Sequence, residues 1–267
     1  MRILSVGYSQ APVGLSNHYH DCHQILFIKE GEVEVTVGAE EYRMGSGSLL
    51  LLSRFEEHSI VVKSQVYRRY TLRISPEVLA GEDGSEGLSA VLVNRGPNFR
   101  HVMETGAERE NFEALFCRMA EEFDSKRPLC ERMLDYLWRQ LWVMLYRLMP
   151  SLFAAETDSG RALVGRIRQD MEQHYSETVS LSSLAARYHV SPSHLSHLFK
   201  SVTGYAPMEY LNACRLSAAK ELLSGSGCAI RDVVDRCGYG DESNFSRMFR
   251  EKTGMTPSAF RNKYRGR

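Results

Sequence analysis

The chain lacks the features that mark secreted, disulfide-rich and membrane-spanning proteins. Its six cysteines include no pair separated by two residues and no set with metal-ligand spacing, which excludes a zinc ribbon or a disulfide scaffold. It has no run of 18 apolar residues, because the nearest one, Leu134–Leu148, is interrupted by Arg139, Gln140 and Arg147. No signal peptide is recognisable, so we expect a cytoplasmic protein with reduced thiols.

An excess of charge of one sign is also missing, because 33 basic residues balance 33 acidic ones. This balance hides two opposite halves. Residues 161–267 hold 16 Lys and Arg against 10 Asp and Glu, a net charge of +6, whereas residues 1–160 hold 17 against 23, a net charge of −6. A basic C-terminal half predicts a nucleic-acid surface confined to one domain. The length of 267 residues suits two domains with separate cores.

What the sequence does contain is an internal repeat in its last hundred residues. Residues 193–200 (SHLSHLFK) return fifty residues later as residues 243–250 (SNFSRMFR). In both copies apolar residues recur three and four positions apart, which predicts an amphipathic helix with a polar outer face. The predicted core side chains of these helices are Leu195, Phe199, Phe245 and Phe249.

Each repeated helix has start and stop signals. Ser191 and Asp241 are predicted N-caps, and Gly204 and Gly254 fit C-terminal glycines. A shorter helix precedes each copy, marked by residues 49 positions apart: Leu181, Leu184, Ala185 and Tyr188, then Ile230, Val233, Val234 and Cys237. A short helix, a tight turn and a second helix form a helix-turn-helix. The alternative is helical hairpins repeated for packing alone, but such solenoids usually need three or more repeats.

At the level of individual residues, this region resembles the tandem helix-turn-helix domain of AraC/XylS-type transcription regulators. The resemblance covers about residues 161–265 and is carried by Leu184-Ala185, Ser191-Pro192, Leu195, Phe199-Lys200, Gly204, Pro207, Tyr210, Arg215-Leu216, Ala219, Leu222-Leu223, Ile230, Gly238-Tyr239, Asp241, Ser243, Phe245-Ser246-Arg247, Phe249, Gly254, Pro257 and Arg261. His189 departs from the pattern, since the first turn in this family often has glycine. Histidine tolerates positive φ better than most residues, so we expect the turn to be kept.

The exposed faces of the repeated helices are the candidates for DNA contact, because an α-helix fits the major groove. We expect the helix Met208–Leu223 to hold them in successive grooves. The resemblance implies base contacts for Ser193, Ser196, His197, Glu242, Ser243, Asn244, Ser246 and Arg247. Arg247 suits guanine and Glu242 suits the amino group of cytosine. The predicted phosphate contacts are Lys200, Arg250 and Lys252.

The N-terminal part predicts short β-strands separated by glycine-containing turns. The clearest strands are Ile25–Lys29, Val33–Val37, Leu49–Ser53, Ser59–Lys63 and Tyr67–Ile74. Short strands at roughly ten-residue spacing predict a small sandwich or barrel. The positions of His18, His20, Gly31 and His58 resemble the cupin barrel that precedes the DNA-binding domain in many AraC-type regulators.

The cupin resemblance raises the question of a metal. Cupin enzymes hold a metal with a His-x-His pair, a glutamate a few residues later and a third histidine. His18, His20 and His58 are candidates, but Gln24 stands in place of the glutamate, and a neutral amide is a poor replacement for a carboxylate. We therefore predict that these four residues line an effector pocket without metal or cofactor. The alternative is that the histidines merely flank the barrel mouth.

Residues 106–150 predict two antiparallel helices joined by Asp124–Pro128. Their apolar positions are Phe112, Leu115, Phe116, Met119, Ala120 and Phe123, then Leu134, Leu137, Trp138, Leu141, Leu145 and Leu148. The stripe on the second helix fits a core face against the barrel or a dimer surface, and the resemblance favours the dimer. The polar residues 156–160 predict a linker.

The sequence thus predicts an α+β multidomain protein: a cupin-like β-barrel with a helical pair, followed by an all-α tandem helix-turn-helix domain. The expected boundaries are 1–105 for the barrel, 106–150 for the helices, 151–160 for the linker and 161–267 for the DNA-binding domain. The expected function is a sequence-specific regulator, more an activator than a repressor and not an enzyme. Its expected partners are double-stranded DNA, a small-molecule effector, RNA polymerase and a second copy of the chain, without a membrane. The alternatives are a cupin-type metal-binding sensor or enzyme fused to a DNA-binding tail, and an RNA-binding adaptor.

Overall fold

The computed structural model describes residues 3–10, 15–75, 89–92, 99–153, 159–225 and 227–264. The chain divides into two compact units, Met1–Arg161 and Ala162–Arg267. Residues 154–158 of the predicted linker lie outside the described residues. Among the helices of the described ranges, none is both long enough and apolar enough to cross a membrane.

The N-terminal unit is built on two antiparallel sheets. The first, sheet A, contains in spatial order β1 (Ile3–Ser9), β8 (Arg68–Ile74), β3 (His23–Glu30), β6 (Ser48–Leu52) and β9 (Val102–Glu104). The second, sheet B, contains β2 (Leu15–His18), β7 (His58–Val62), β4 (Val33–Val37) and β5 (Glu40–Met44). The predicted β-rich domain is confirmed, but its described strands form two separate sheets rather than one closed barrel.

The central strands β3 and β6 of sheet A are buried on both faces, which explains their unbroken apolar runs. Successive side chains of a strand point to opposite faces. Accordingly, Leu26 and Ile28 pack towards sheet B, whereas Ile25 and Phe27 pack in the cluster that includes the helices. Gln24 lies two residues before Leu26, so its side chain points to the same face as that of Leu26, towards sheet B. This orientation places its amide opposite the strands that carry His18 and His58.

The predicted helical pair is present as α1 (Arg109–Ser125) and α2 (Cys130–Leu148). The ring of Phe116 on α1 stacks on that of Phe27, with centroids 5.4 Å apart. The apolar stripe of α2 belongs to the same core, and Leu134, Leu137, Trp138, Leu141 and Leu145 are all at most 4% exposed. The monomer already buries these side chains, so the stripe is a core face, and a dimer contact through the helical pair stays a prediction for its exposed side.

The C-terminal unit is helical throughout. Its helices are α3 (Ser159–Gln173), α4 (Leu181–Arg187), α5 (Pro192–Thr203), α6 (Pro207–Gly225), α7 (Ile230–Arg236), α8 (Glu242–Thr253) and α9 (Pro257–Tyr264). The helix predicted over Met208–Leu223 is α6, and it packs on α5, α7 and α9. Tyr210, Leu211, Cys214, Leu216, Ala219 and Leu223 are buried as expected, and Leu222 is half-buried.

Candidate functional site

The two helix-turn-helix units, α4–α5 and α7–α8, begin their second helices in the same way. The Ser191 hydroxyl accepts a hydrogen bond from the His194 amide at 3.2 Å, and the Asp241 carboxylate accepts one from the Asn244 amide at 2.6 Å. These contacts satisfy backbone N–H groups that have no partner inside the helix. Both predicted N-caps are confirmed.

The second helices also end alike. Gly204 and Gly254 follow them with left-handed φ values of 81° and 72°. The Thr203 hydroxyl donates to the Phe199 carbonyl at 2.8 Å, and the Thr253 hydroxyl donates to the Phe249 carbonyl at 2.7 Å. Because start, end and capping contacts repeat at an offset of fifty residues, α5 and α8 are two copies of one structural unit.

The turns of the two units differ at the residue with positive φ, and the second turn is one residue longer. His189 has a φ of 56° and Gly238 has a φ of 74°, so the expectation that histidine supports the first turn is confirmed. His189 is exposed, whereas a Cβ added to Gly238 would lie 2.4 Å from the Ser176 carbonyl oxygen. The second turn therefore needs glycine for both its conformation and its close packing.

The exposure of α5 and α8 is the same position by position. Residues 191–194 and residues 241–244 are exposed, and the fifth residue of each segment is buried. Residues 196–200 and residues 246–250 then have the same burial at each position. The buried positions are Leu195 and Phe199, then Phe245 and Phe249, all 0% exposed. The exposed proposed DNA contacts are Ser193, His197, Lys200, Glu242, Ser243, Asn244, Arg247, Arg250 and Lys252, and the half-buried ones are Ser196 and Ser246. All of them lie on α5 or α8.

Arg247 is held in place within its helix. One of its terminal nitrogens, Nη2, donates to the Asn244 side-chain oxygen at 2.9 Å. This contact joins residues three positions apart on one exposed face. The guanidinium keeps further N–H groups for an external acceptor, because it carries five donors in total.

A buried polar network connects α3 to α6, and sequence reasoning missed it. Arg168 is 5% exposed, and its Nε donates to the Tyr210 hydroxyl at 3.3 Å. The Tyr210 hydroxyl in turn donates to the Glu172 carboxylate. The one available signal was the spacing of Arg168 and Glu172, four residues apart on α3. This network fixes the first helix of the unit against the connecting helix.

The N-terminal unit contains a cavity of about 230 Å³ between its two sheets. His20, Gln24 and His58 line it, together with Arg69 and Arg73. His18 is absent from the described lining, but its ring centroid lies 4.8 Å from that of His20 and 4.3 Å from that of His58. The structure thus brings the four predicted pocket residues into one region. Sequence reasoning did not identify the arginines, which come from β8.

Two of the imidazoles in this region, those of His20 and His58, have lowered pKa values. Burial, followed by the positive charges of Arg73, His58 and His18, lowers the pKa of His20 to about 4. Burial also lowers the pKa of His58. His58 Nδ1 donates to the Glu56 carbonyl at 2.8 Å, because a carbonyl can only accept. The Nε2 atom of neutral His58 therefore carries a lone pair.

A second, larger cavity of about 460 Å³ lies against α2 and is lined in part by Glu131, Asp135 and Tyr136. None of the predicted pocket residues is among its described lining. Since the described lining of this larger cavity offers no convergent set of buried polar groups, the cavity between the sheets is the better candidate for a ligand.

Comparison with known proteins identifies both units. Residues 7–141 match the family described as an AraC-like ligand binding domain, and residues 184–263 match a helix-turn-helix domain. The transcriptional activator RhaS of Klebsiella pneumoniae is 27% identical over 91% of this chain and 86% of its own length. The uncharacterised regulator YijO of Escherichia coli is 36% identical over 39% of this chain and 37% of its own.

Solved structures share the fold. ToxT of Vibrio cholerae superposes with a TM-score of 0.61, 15% identity and full coverage of both chains. A structure of ToxT with bound unsaturated fatty acid gives 0.60, with 14% identity over 100% of this chain and 97% of the other. The two family matches cover most of the two sheets, including the cavity, and the helices α5 and α8, and the chain therefore belongs to the AraC family of transcription regulators.

Proposed function

We propose that this protein reads duplex DNA by placing α5 and α8 in successive major grooves, about 34 Å apart on one face. The observation that carries the proposal is the matched exposure of the two helices. Each helix buries two apolar side chains and turns a polar face outward, and the two are connected by the single continuous helix α6. A pair of this kind suits a recognition surface better than a packing repeat.

The side chains divide by chemistry into two groups. Arg247 can make two hydrogen bonds to guanine, and Glu242 can accept from the amino group of cytosine. Ser193, Ser196, His197, Ser243, Asn244 and Ser246 are proposed to contact further base edges. Lys200, Arg250 and Lys252 are proposed to contact phosphates, which position the protein without selecting sequence.

We further propose that a small-molecule effector binds between the sheets and changes transcription. The cavity wall with His20, Gln24 and His58 supplies polar groups for orientation, and Arg69 and Arg73 favour a ligand with a negative charge. The relative RhaS is a transcriptional activator, which supports activation and RNA polymerase as a partner. The proposed regulator works in the cytoplasm and has no catalytic activity of its own.

A homodimer would require a surface other than the buried stripe. The outward side of α2 exposes Met133, Tyr136, Val143 and Tyr146 by 40, 65, 42 and 46%. We propose that a second copy of the chain packs on this side. Sedimentation of the full chain should then show a dimer that Tyr136→Glu dissociates, whereas equal masses for both proteins would contradict the proposal.

The DNA-binding proposal is tested with the full chain on fragments from its own genome and on randomised duplexes. A subset of sequences should be retained, and the logarithm of affinity should fall steeply with the logarithm of salt concentration as counterions are released. Binding to no fragment, or binding that ignores salt, would contradict the proposal.

A further inference from the structure

Three imidazoles converge at the edge of the cavity between the sheets. His18 ends β2, His58 begins β7 and His20 lies in the segment between β2 and β3. One ring nitrogen from each lies within 4.8 Å of the others. We call these three residues the histidine cluster. Within the described ranges, no other group of three histidine, cysteine or acidic side chains has atoms this close.

The distances in the cluster match those around a metal ion. His18 Nε2 and His20 Nε2 lie 3.2 Å apart. Two nitrogens bound tetrahedrally at about 2.0–2.1 Å from zinc are about 3.3 Å apart. The same separation also fits a single N–H···N hydrogen bond between the two rings. The third ring favours an ion, because one hydrogen bond between His18 and His20 does not account for a ring nitrogen of His58 lying within 4.8 Å of both.

The third histidine is fixed in the form that binds metals. His58 donates its Nδ1 hydrogen to the Glu56 carbonyl, so Nε2 is the ring nitrogen that is left for a ligand. A backbone carbonyl on the outer nitrogen is the usual support for a metal-binding histidine, because it sets the tautomer and the orientation of the ring. His58 is 2% exposed, so this orientation is held by packing as well.

Gln24 provides an independent observation. It is 5% exposed, and among the described residues its buried side-chain oxygen has no hydrogen-bond partner. A buried acceptor without a partner is costly, and a cation in the cavity that Gln24 shares with His20 and His58 would satisfy it. The absence of a carboxylate does not preclude a site, since three neutral histidines hold zinc in carbonic anhydrase, with a water in the fourth position.

We propose that His18, His20 and His58 bind one divalent transition metal of the zinc and cobalt class, with the Gln24 oxygen as an additional ligand. This reverses our expectation from the sequence that the pocket works without metal. Arg69 and Arg73 line the same cavity, and their positive charges oppose the binding of a cation. Arg73 is exposed, so solvent and salt screen its repulsion, whereas Arg69 is half-buried. The metal forms part of the effector cavity of the proposed function, and it does not depend on the DNA contacts.

The test uses the full-length chain, stripped of metal and without an affinity tag. Calorimetric titration with Zn²⁺ should give one site per chain, and Co²⁺ should produce the visible absorption of a nitrogen-ligated ion. His58→Ala and His20→Asn should each weaken Zn²⁺ binding by about 100-fold or more and abolish the cobalt spectrum. His174→Ala is the matched control, because His174 lies in the C-terminal unit, and it should bind like the wild type.

Gln24→Glu supplies the sharper readout. A carboxylate in place of the amide should tighten Zn²⁺ binding by about tenfold and shift the cobalt spectrum. Circular dichroism of each metal-free variant shows whether it is folded, and the wild type should melt at a higher temperature with Zn²⁺ than without it. No site in the wild type, or full binding by both histidine variants, would overturn the proposal. A DNA-binding assay on metal-free protein separates the two proposals. If this protein binds DNA but no metal, only the metal proposal fails and the proposed DNA-binding function stands.

Discussion

The two helix-turn-helix units keep the same framework and differ at their outer surfaces. Their N-cap positions, buried apolar positions and terminal glycines agree at an offset of fifty residues. Of the outward residues, Ser193 and Ser196 recur as Ser243 and Ser246, whereas His197 in the first copy corresponds to Arg247 in the second. The comparison shows that the positions that folding requires are kept, whereas an outward position such as 197/247 can differ and so select a different base.

The largest expected difference between the copies lies in their turns. Gly238→Ala should lower the free energy of unfolding by about 3 kcal/mol or more, because the new Cβ meets the Ser176 carbonyl at 2.4 Å and the backbone φ is 74°. His189→Gly should change it by less than about 1 kcal/mol, since the exposed turn has room and glycine also loses more entropy on folding. Denaturant unfolding of the full chains measures both. Equal effects would show that the two turns are equivalent after all.

The next difference concerns base selection. Arg247→Ala should cost about 1–3 kcal/mol of binding and relax preference at one base pair, because the guanidinium can pair with guanine twice. His197→Ala should cost less, since one imidazole nitrogen makes a single hydrogen bond. A selection from randomised sites at fixed salt measures both variants together.

Lys200→Ala is the control for that selection. It should weaken binding to all sequences alike and reduce the slope of the salt dependence by about one. If Arg247→Ala keeps the wild-type sequence preference, the second helix positions the protein on phosphates, and specificity rests on the other outward residues.

The smallest expected difference is between the two N-caps. Ser191→Ala and Asp241→Ala should each lower the free energy of unfolding by about 1 kcal/mol. The loss should be larger for Asp241, because its carboxylate bond is shorter, at 2.6 Å against 3.2 Å, and its charge also favours the positive end of the helix. Chemical denaturation at low and high salt tests this order, and only the Asp241 effect should shrink with salt.

The C-terminal unit was predictable because its signals are local. Caps lie three residues from their partners, and buried positions recur within one helical turn, so the repeated sequence is sufficient to predict both α5 and α8. The sheets depend on distant pairings. Strand β9, only three residues long, pairs with β6 across some fifty residues, and β5, with the sequence EEYRM, carries too little apolar pattern to identify a strand.

The same limit applies to the candidate ligand site. The sequence named His18, His20, Gln24 and His58, but the distances between them depend on how β2 pairs with β7, with His18 opposite His58. The spacing of the apolar residues in α2 correctly predicted a helix. It could not predict which part of the molecule the apolar stripe of that helix packs against. Periodicity specifies a buried face, whereas its partner is decided by the whole fold.

The continuous helix α6 also constrains how target sites can evolve. Its 19 residues form a rod without a break, supported by the contact of Tyr210 with Arg168. In the proposed binding mode, therefore, neither helix-turn-helix unit can follow its half of a site if the halves move apart. One inserted base pair separates them by about 3.4 Å and rotates one against the other by about 34°. Operators of this protein should therefore diversify by base substitution. A site that gains or loses a base pair between the two contacted segments should no longer be bound, and the gene beside it should no longer be regulated by this protein.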